Sequence, residues 1–297
     1  TNRISPEAPV PVVQVKRKEK RLGGAANVAL NIQALGAEPI LCSIIGKDAD
    51  GIDFINLLDK QNISSTGIIQ SENRITTVKQ RVLAGSQQML RIDEESEKYL
   101  DSIEEKNLIS QINSLLKGVD LVIFEDYDKG TINGNVIAKT IESANRLNIP
   151  SVVDPKKKNF NLYRDTTLFK PNLKELKEGL QREVDGSSLE SLDSAIEELI
   201  KEKGHKKVMI TLSEKGIYIK GETGRQAIPA HLRSIADVSG AGDTVVSIAG
   251  LCVALGLSDQ ITAELSNLGG GLVCESLGVA PIDKNQLLKE ASSLKIS

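Results

Sequence analysis

The 297-residue chain has only three cysteines, at positions 42, 252 and 274. They lie far apart in apolar stretches, they form no C-x-x-C pair, and their number is odd. This usage gives no support to a disulfide framework and predicts buried thiols in a reducing compartment.

An excess of one charge and a long apolar run are also missing. The formal net charge is -3 with the two signs interspersed, so no basic surface is expected that would neutralise many nucleic-acid phosphates. The longest apolar run, about residues 245–257, is interrupted by Ser247 and Gly250 and is too short to span a bilayer. We therefore expect no nucleic acid and no membrane as partner and, since no signal-peptide pattern is visible, a cytoplasmic protein.

Several widespread motifs are absent from the sequence. It has no internal repeat, no coiled-coil heptads and no low-complexity segment. It also lacks a Walker G-x-x-x-x-G-K-S/T motif, and Gly240-Ala241-Gly242 continues to Val245 where G-x-G-x-x-G requires a glycine. These absences exclude the ordinary P-loop and the dinucleotide-binding fingerprint.

Strand-like and helix-like segments alternate through most of the chain. Apolar residues make up 40% and charged residues 26%, which is typical of a soluble globular protein with a large core. The alternation predicts a parallel sheet covered by helices, in one large α/β domain with an appendage. The predicted strands are 40–45, 121–125, 151–153, 208–212 and 216–220. The predicted helices are 25–35, 51–60, 103–116, 133–147, 189–202, 242–255, 259–277 and 284–294.

Two stretches break this rhythm, at residues 10–16 and 63–91. Within the second, residues 76–82 and 88–92 alternate polar and apolar side chains, as extended chain does. We expect a small separate sheet here, a lid with segments at about 10–18 and 63–92 on a single domain of residues 1–297.

The strongest chemical signal is D-V-S-G-A-G-D-T at residues 237–244, directly before an apolar helical run. Small residues let the backbone turn tightly into a helix, and we expect a positive φ at Gly242. Amide groups at a helix start bind phosphate oxygens. Asp243, in the first turn, would accept the proton of an attacking hydroxyl beside that anion site. The alternative is that the glycines only form a turn and Asp243 only caps a helix.

Two further motifs have both a structural and a functional interpretation. Gly23 and Gly24 precede a helix start, where a polyol would approach the backbone closely and Asn27 would contact its hydroxyls; tight helix packing explains these glycines equally well. Asn172 and Glu175 fit a helix capping box. They would also lie at the carboxyl edge of a strand, where α/β enzymes collect ligands for Mg²⁺ and nucleotide.

Taken together and in this order, the three motifs resemble those of the PfkB or ribokinase family of sugar kinases, over essentially the whole chain. The resemblance implies a ribokinase-like three-layer α/β/α sandwich with a small β-sheet lid, and it implies ATP and Mg²⁺ as cofactors. It makes Asp243 the catalytic base, with Asn172 and Glu175 organising Mg²⁺ directly or through water. The anion hole implied is Gly240, Ala241 and Gly242, and the implied nucleotide-site residues are Thr211, Ser213, Glu214, Gly216 and Asn267.

A narrower resemblance, to the heptose 7-phosphate kinase branch of ADP-heptose synthesis for lipopolysaccharide, is carried by residues 3–13, 87–93, 126–130 and 154–156. The sequence departs from the family at Ser239, where T-G-A-G-D is usual. No residue matches the family's sugar-binding aspartate on a first core strand, and no segment matches the nucleotidyltransferase domain of the branch's bifunctional members.

These features predict transfer of the γ-phosphoryl group of ATP to D-glycero-β-D-manno-heptose 7-phosphate, giving heptose 1,7-bisphosphate. The alternatives are a kinase for fructose, ribose or a hexose phosphate, and a non-catalytic nucleotide- or sugar-binding protein. The open edges of the lid predict a homodimer formed through it. The residues expected to hold the sugar are Gly23, Gly24 and Asn27, and those expected to hold its phosphate are Lys79, Arg81 and Arg91, whose alternative interpretation is exposed lid charge.

Overall fold

The computed structural model describes residues 4–10, 12–84, 87–222, 224–231, 233–276 and 278–294. Arg3 and Pro11 of the N-terminal motif, and Leu277 at the end of one predicted helix, lie outside the described residues. The helices are α1 (Ala25–Ala34), α2 (Ala49–Lys60), α3 (Ser102–Leu115), α4 (Gly134–Arg146), α5 (Leu173–Leu180), α6 (Leu189–Lys203), α7 (Ala241–Ala254), α8 (Asp259–Val273) and α9 (Lys284–Ala291). The strands are β1 (Ser43–Gly46), β2 (Ile68–Ser71), β3 (Val78–Ala84), β4 (Gln87–Glu94), β5 (Val122–Glu125), β6 (Ser151–Asp154), β7 (Leu168–Phe169), β8 (Lys207–Thr211), β9 (Ile217–Gly221) and β10 (Gly224–Ile228).

The central sheet contains β5 to β10 in the order β10-β9-β8-β7-β6-β5. Strands β5 to β8 are parallel, whereas β9 is antiparallel to both of its neighbours, β8 and β10. The parallel part is formed by the apolar strand segments that the sequence predicts. Because these four strands run in the same direction, the carboxyl ends of β5, β6, β7 and β8 meet at one edge of the sheet.

Helices cover both faces of this sheet. Val153 and Phe169 pack in a cluster that includes residues of α4, α5 and α6. Their chain neighbours Val152 and Leu168 point to the other face and pack with residues of α1, α7 and α8. This period-2 alternation within fully buried strands places one helical layer on each side. The predicted α/β/α sandwich is confirmed.

A second, smaller parallel sheet stands apart from the central one. It consists of β1 and β2, paired from Ser43 with Ile68 to Gly46 with Ser71. The strand predicted at 40–45 is therefore present, but its partner is part of the segment that was expected to lie in the lid. Thr76, between β2 and β3, is held against the end of β1, because its hydroxyl accepts a hydrogen bond from the amide of Gly46 at 3.0 Å.

The lid is a two-stranded antiparallel ribbon of β3 and β4. It is shorter than expected: of residues 10–18, those that the structure describes form no strand, and residues 68–71 belong to the sheet with β1. Residues 12–18 carry three charged side chains within seven positions and are exposed throughout, so this segment buries too little apolar surface to hold it against the ribbon. No helix within the described ranges is both long enough and apolar enough to cross a bilayer.

Candidate active site

Two helices begin side by side at the centre of the site, and neither has a capping side chain. The residue before α1 is Gly24, with φ 58°, and the residue before α7 is Gly240, with φ 84°. Both backbones occupy the left-handed half of conformational space, which glycine enters without steric cost. The positive φ expected at Gly242 is wrong, since that glycine is the second residue of α7 and the left-handed turn lies at Gly240.

The start of α7 has free amide groups. Most helices of this chain have an Asp, Asn or Ser side chain at the capping position; Ser258, for example, caps α8. At α7 the amides of Gly242 and Asp243 make no hydrogen bond within the described part of the chain. A Cβ on Gly242 would have its nearest neighbour, Asp154 Oδ2, at 3.9 Å. Open space in front of unpaired helix amides is the geometry that binds anions.

The carboxylate of Asp243 is held on both oxygens. Asn27 Nδ2 donates to Oδ2 at 2.6 Å, and the Tyr127 hydroxyl donates to Oδ1 at 3.0 Å. Burial raises the pKa of Asp243, these two hydrogen bonds lower it, and nearby Asp154 raises it further. The net shift is upward, so the group is a stronger base than an ordinary aspartate while it remains ionisable.

Asn31, one helical turn after Asn27, locks the two helices together. Its side-chain oxygen accepts hydrogen bonds from the Thr244 hydroxyl at 3.2 Å and from the Ile282 amide at 2.9 Å. Its side-chain nitrogen donates to the carbonyl oxygen of Asn27 at 2.9 Å. Asn31 is fully buried, and a buried amide with its groups satisfied fixes one arrangement of its neighbours. The hydrogen bond between Asn27 and Asp243 at the start of α7 thus has a rigid support.

The strand ends supply a buried ion pair. Lys170, just after β7, lies 3.1 Å from Asp154, the last residue of β6, and the two side chains are 3% and 6% exposed. Lys156 lies 3.8 Å from the other oxygen of Asp154 and donates to Glu175 at 2.5 Å. Burial alone would lower the pKa of Lys156, but Asp154 and Glu175 outweigh it and raise that pKa. Lys156 therefore remains cationic beside Asp154 and Glu175.

Glu125 is a buried acid without a donor. It ends β5 directly beside Asp154 in the parallel register, and one of its carboxyl oxygens is buried with no hydrogen-bond partner in the described part of the molecule. Burial, together with the charges of Asp154 and Asp243, raises the pKa of Glu125 well above its ordinary range. This shift disfavours the charged form of Glu125 and so works against an excess of negative charge at this edge.

The predicted capping box at α5 is present. Asn172 Oδ1 accepts from the amide of Glu175 at 2.8 Å, and Glu175 Oε2 accepts from the amide of Asn172 at 2.9 Å. Asn172 also bridges to Thr211, the last residue of β8. Two of the oxygens proposed as Mg²⁺ ligands are thus engaged in helix capping, and Glu175 Oε1 contacts Lys156.

The remaining nucleotide-site predictions fall in two places. Ser213 and Glu214 form an exposed turn between β8 and β9, and Gly216, with φ 91°, closes it where a Cβ would overlap the carbonyl oxygen of Ile228. Asn267 is on α8, and its side-chain nitrogen donates to the carbonyl oxygen of Pro229 at 2.8 Å. Asn267 therefore ties α8 to the segment that follows β10.

The ribbon places its predicted cations on one face. Arg81 lies directly opposite Arg91, and Lys79 opposite Asp93. Lys79 pairs with Glu95 at 3.3 Å and Arg91 with Asp93 at 3.0 Å, whereas Arg81 makes no ion pair within the described ranges. Gly23, predicted for the sugar, faces open space, and Gly24 packs under the Tyr127 ring.

Arg81 acts electrostatically on the loop before α7. Hydrogen bonds from the amide and the hydroxyl of Ser239 are the main cause of the lowered pKa of Asp237, and the positive charge of Arg81 lowers it further. The positive charge of Arg81 is therefore felt at the loop that leads to Asp243.

Five side chains of this site were not among the sequence predictions: Glu125, Tyr127, Asp154, Lys156 and Lys170. Each follows the end of a parallel strand by no more than two residues. A rule that inspects the polar residues at the ends of predicted parallel strands would have found them, whereas motif spacing alone did not.

Comparisons with known proteins agree with this geometry. A model of the pfkB family of carbohydrate kinases matches residues 2–285. Similar curated proteins include the bifunctional protein HldE of Trichlorobacter lovleyi, 37% identical over 296 residues, covering 98% of this chain and 59% of the relative. The bifunctional protein HldE of Helicobacter pylori is 35% identical over 280 residues, covering 94% of this chain and 60% of the relative. The chain spans about three fifths of the length of these relatives.

Solved structures share the fold. Escherichia coli phosphofructokinase-2 in complex with fructose-6-phosphate superposes with a TM-score of 0.75 at 20% identity, over 92% of this chain and 87% of the other. Arabidopsis thaliana ribokinase complexed with ribose and ATP gives a TM-score of 0.72 at 17% identity, over 94% and 90%. At these identities the likeness concerns the fold alone.

The buried ion pair of this site gives a stability prediction. Lys170→Met removes the cation from Asp154 and leaves a buried carboxylate, so we expect the free energy of unfolding to fall by about 3–5 kcal/mol. Urea unfolding at pH 7 measures this loss. The control is Lys139→Met, which breaks an exposed pair with Glu142 and should cost less than about 1 kcal/mol. Equal stability of the two variants would show that Lys170 does not compensate the charge of Asp154.

Proposed function

The chain belongs to the pfkB family of carbohydrate kinases, and from this premise we propose that it transfers the γ-phosphoryl group of ATP to a hydroxyl of a phosphorylated sugar. The family model and the curated relatives confirm the resemblance predicted from the glycine pair, the capping box and the D-V-S-G-A-G-D segment. The fold neighbours agree with it.

The observation that carries the proposal is a carboxylate in the first turn of an uncapped helix. The free amides of Gly242 and Asp243 point toward the open space where transferred phosphate would lie. Asp243 would take the proton of the sugar hydroxyl as that oxygen attacks the γ-phosphorus. Gly240, Ala241 and Gly242 would stabilise the charge that accumulates on the phosphoryl oxygens. Lys170 and Lys156 would add positive charge from the strand ends.

The donor set at α5 fits Mg²⁺ that arrives with the nucleotide. No group of three or more His, Cys, Asp or Glu side chains in the described residues is arranged to hold a metal ion. Glu175 and Asn172 are committed to the capping box, so they would contact the ion through water while phosphates supply direct ligands, as Mg²⁺ prefers. Mg²⁺ would neutralise phosphate charge. Thr211, Ser213, Glu214, Gly216 and Asn267 are proposed to line the nucleotide site.

For the acceptor we propose D-glycero-β-D-manno-heptose 7-phosphate, phosphorylated at the anomeric hydroxyl. The sequence resemblance to the heptose 7-phosphate kinase branch and the identities of 35–37% to the HldE proteins support this choice. Gly23, Gly24 and Asn27 would hold the sugar. The product would serve ADP-heptose synthesis for lipopolysaccharide in the cytoplasm.

The distal phosphate of that sugar needs fixed cations. Arg81 is the strongest of the three predicted residues, because Lys79 and Arg91 already pair with ribbon carboxylates. Its positive charge also lowers the pKa of Asp237 in the loop before α7, after the hydrogen bonds from Ser239. A guanidinium group binds phosphate oxygens through two parallel hydrogen bonds. Another acceptor of the family, such as fructose, ribose or a hexose phosphate, would use the same catalytic residues.

Replacement of the base tests the kinase proposal. The Asp243→Asn variant should fold and bind nucleotide like the parent. Its kcat should be about 10²–10⁴-fold lower, because the Asn amide is too weak a base to accept the proton of the sugar hydroxyl. Sugar-dependent ADP release measures kcat. Asp50→Asn is the control, since Asp50 also stands in the first turn of a helix, and it should leave kcat unchanged. Turnover of Asp243→Asn within a few-fold of the parent would remove Asp243 from this role.

Comparing acceptors tests the phosphate contact. We expect kcat/KM for heptose 7-phosphate to exceed that for free heptose at least tenfold, because remote binding energy orients the reacting hydroxyl. Arg81→Ala should erase most of this ratio while leaving free heptose almost unaffected, and Lys79→Ala should reduce the ratio less. Fructose 6-phosphate, fructose and ribose complete the panel. Better use of free fructose or ribose would overturn the heptose assignment, and absence of turnover with every sugar would favour the non-catalytic alternative.

The second face of the ribbon supports the proposed homodimer. Leu90 and Ile92 of β4 are 53% and 42% exposed, and they share a face with Val78 and Val82 of β3. An exposed apolar face on a two-stranded ribbon with open edges is unfavourable in an isolated molecule. The same face of a second copy would cover it.

Light scattering at micromolar concentration tests the dimer. The parent should have the mass of two chains, and Leu90→Lys should shift the equilibrium toward monomer at least tenfold by placing a charge in the interface. Ile103→Lys is the matched control, because Ile103 on α3 is 69% exposed and lies outside the ribbon. A strictly monomeric parent would contradict the proposal.

A further inference from the structure

Tyr127 belongs to the segment 126–130, but the sequence motifs assign its side chain no role. It stands two residues after the end of β5, and its hydroxyl reaches Asp243 Oδ1 across 116 sequence positions at 3.0 Å. Asn27 holds the other carboxylate oxygen. The base therefore has one donor from the helical layer and one from the edge of the sheet, and together they fix the plane of its carboxylate.

Both chain neighbours of Tyr127, Asp126 and Asp128, are held by the surrounding structure. Asp126 accepts hydrogen bonds from the Asn159 side chain and the Tyr163 hydroxyl, each at 2.9 Å, and from the amide of Asp128 at 2.9 Å. Asp128 has φ 56°, a left-handed turn that this network holds in place. Tyr127 therefore has little freedom to leave its position.

The ring of Tyr127 is seated against Gly24. A Cβ on Gly24 would lie 3.4 Å from Cε2 of the ring, so the ring lies directly over the glycine backbone. The same contact places the ring at the entrance to the first turn of α1, where the sugar is proposed to bind. The phenol and the backbone of the sugar site are thus parts of one packed unit.

Ionisable groups surround the contact from the sheet side. Four charged or chargeable side chains act electrostatically on Tyr127 or Asp243, directly or through one another: Glu125 on β5, Asp154 on β6, Lys170 after β7, and Lys156. Helix α1 has no titratable side chain. Burial, then the charge of Glu125, raises the pKa of Tyr127 far above its ordinary value. The phenol is therefore protonated at neutral pH, as its hydrogen bond to Asp243 Oδ1 requires of the donor.

We propose that Tyr127 is a positioning residue for the base: its phenol orients the carboxylate of Asp243 and favours the ionised form of that carboxylate. A hydrogen bond to the charged form of an acid opposes the effect of burial. In this site burial and Asp154 act against ionisation, while Asn27 and Tyr127 act for it. The inference rests on the proposed function, because only a general base needs the ionised form for turnover.

Tyr127→Phe tests the inference, because it keeps the ring over Gly24 and removes only the donor. With the donor gone, Asp243 holds its proton more strongly, so the acid limb of the pH profile of kcat/KM should move up by about one pH unit. At acidic pH, where kcat/KM still rises with pH, the variant should be about tenfold slower than the parent. At high pH, where Asp243 is ionised in both proteins, the two values of kcat/KM should converge.

A matched control separates positioning from loosening of the loop. Tyr163→Phe also removes a phenol that donates to a carboxylate, that of Asp126 in the same loop, but it leaves the Asp243 contact in place. Its acid limb should coincide with that of the parent, even if kcat falls. A shift in Tyr163→Phe equal to that in Tyr127→Phe would overturn the proposal in favour of a purely structural role.

A second readout does not depend on activity. The carboxyl carbon of Asp243, assigned by its loss in Asp243→Asn, is titrated by ¹³C NMR without substrates in the parent and in Tyr127→Phe. The titration midpoint should rise by about one pH unit in the variant. An unchanged midpoint overturns the proposal even in an active kinase. A raised midpoint in a protein that phosphorylates no sugar supports the contact and refutes the proposed function instead.

Discussion

The hydrogen bond between Asn27 and Asp243 joins the first turns of two helices that are 216 residues apart in the chain. It requires the starts of α1 and α7 to lie within one side-chain length of each other. A capping side chain at either start would occupy this space, and Gly240 already lies close enough that its Cβ would be 3.2 Å from Asn27 Nδ2. The glycines before both helices are thus a condition of the contact. They also leave no capping side chain for the amides of Gly242 and Asp243, which make no hydrogen bond in the described part of the chain. One packing constraint therefore accounts for both the held carboxylate and the free amides.

The parallel sheet determines the electrostatics around that contact. Because β5, β6 and β7 run in the same direction, their final residues bring Glu125, Asp154 and Lys170 to one edge, directly below the start of α7. Two carboxylates and one lysine would leave net negative charge at this edge. Burial raises the pKa of Glu125, which disfavours its charged form, and Lys156 lies 3.8 Å from Asp154, so both act against that excess. A smaller excess of negative charge lowers the electrostatic cost of bringing in a polyphosphate.

The sequence predicted most helix and strand bounds to within about three residues, because hydrophobic periodicity is local information. It missed β10, Gly224–Ile228, whose side chains are almost all exposed, and it assigned residues 68–71 to the lid because extended alternation does not identify a strand's partner. Gly240, Asn27 and Asp243 were found from motifs. Tyr127 and Lys170 were not, since their roles follow from which strands are neighbours, and a single sequence does not contain that information.

Asn172 and Glu175 show why motif and mechanism are hard to separate. Their mutual hydrogen bonds satisfy two backbone amides at the start of α5, which stabilises the helix whether or not a ligand binds. The same hydrogen bonds fix the orientation of Glu175, whose remaining oxygen faces Lys156. A carboxylate that is already immobilised in this way loses little further side-chain entropy when a hydrated cation binds to it. Helix capping and ligand binding are therefore not competing explanations of this motif, because the cap is what makes the carboxylate rigid enough to organise charge.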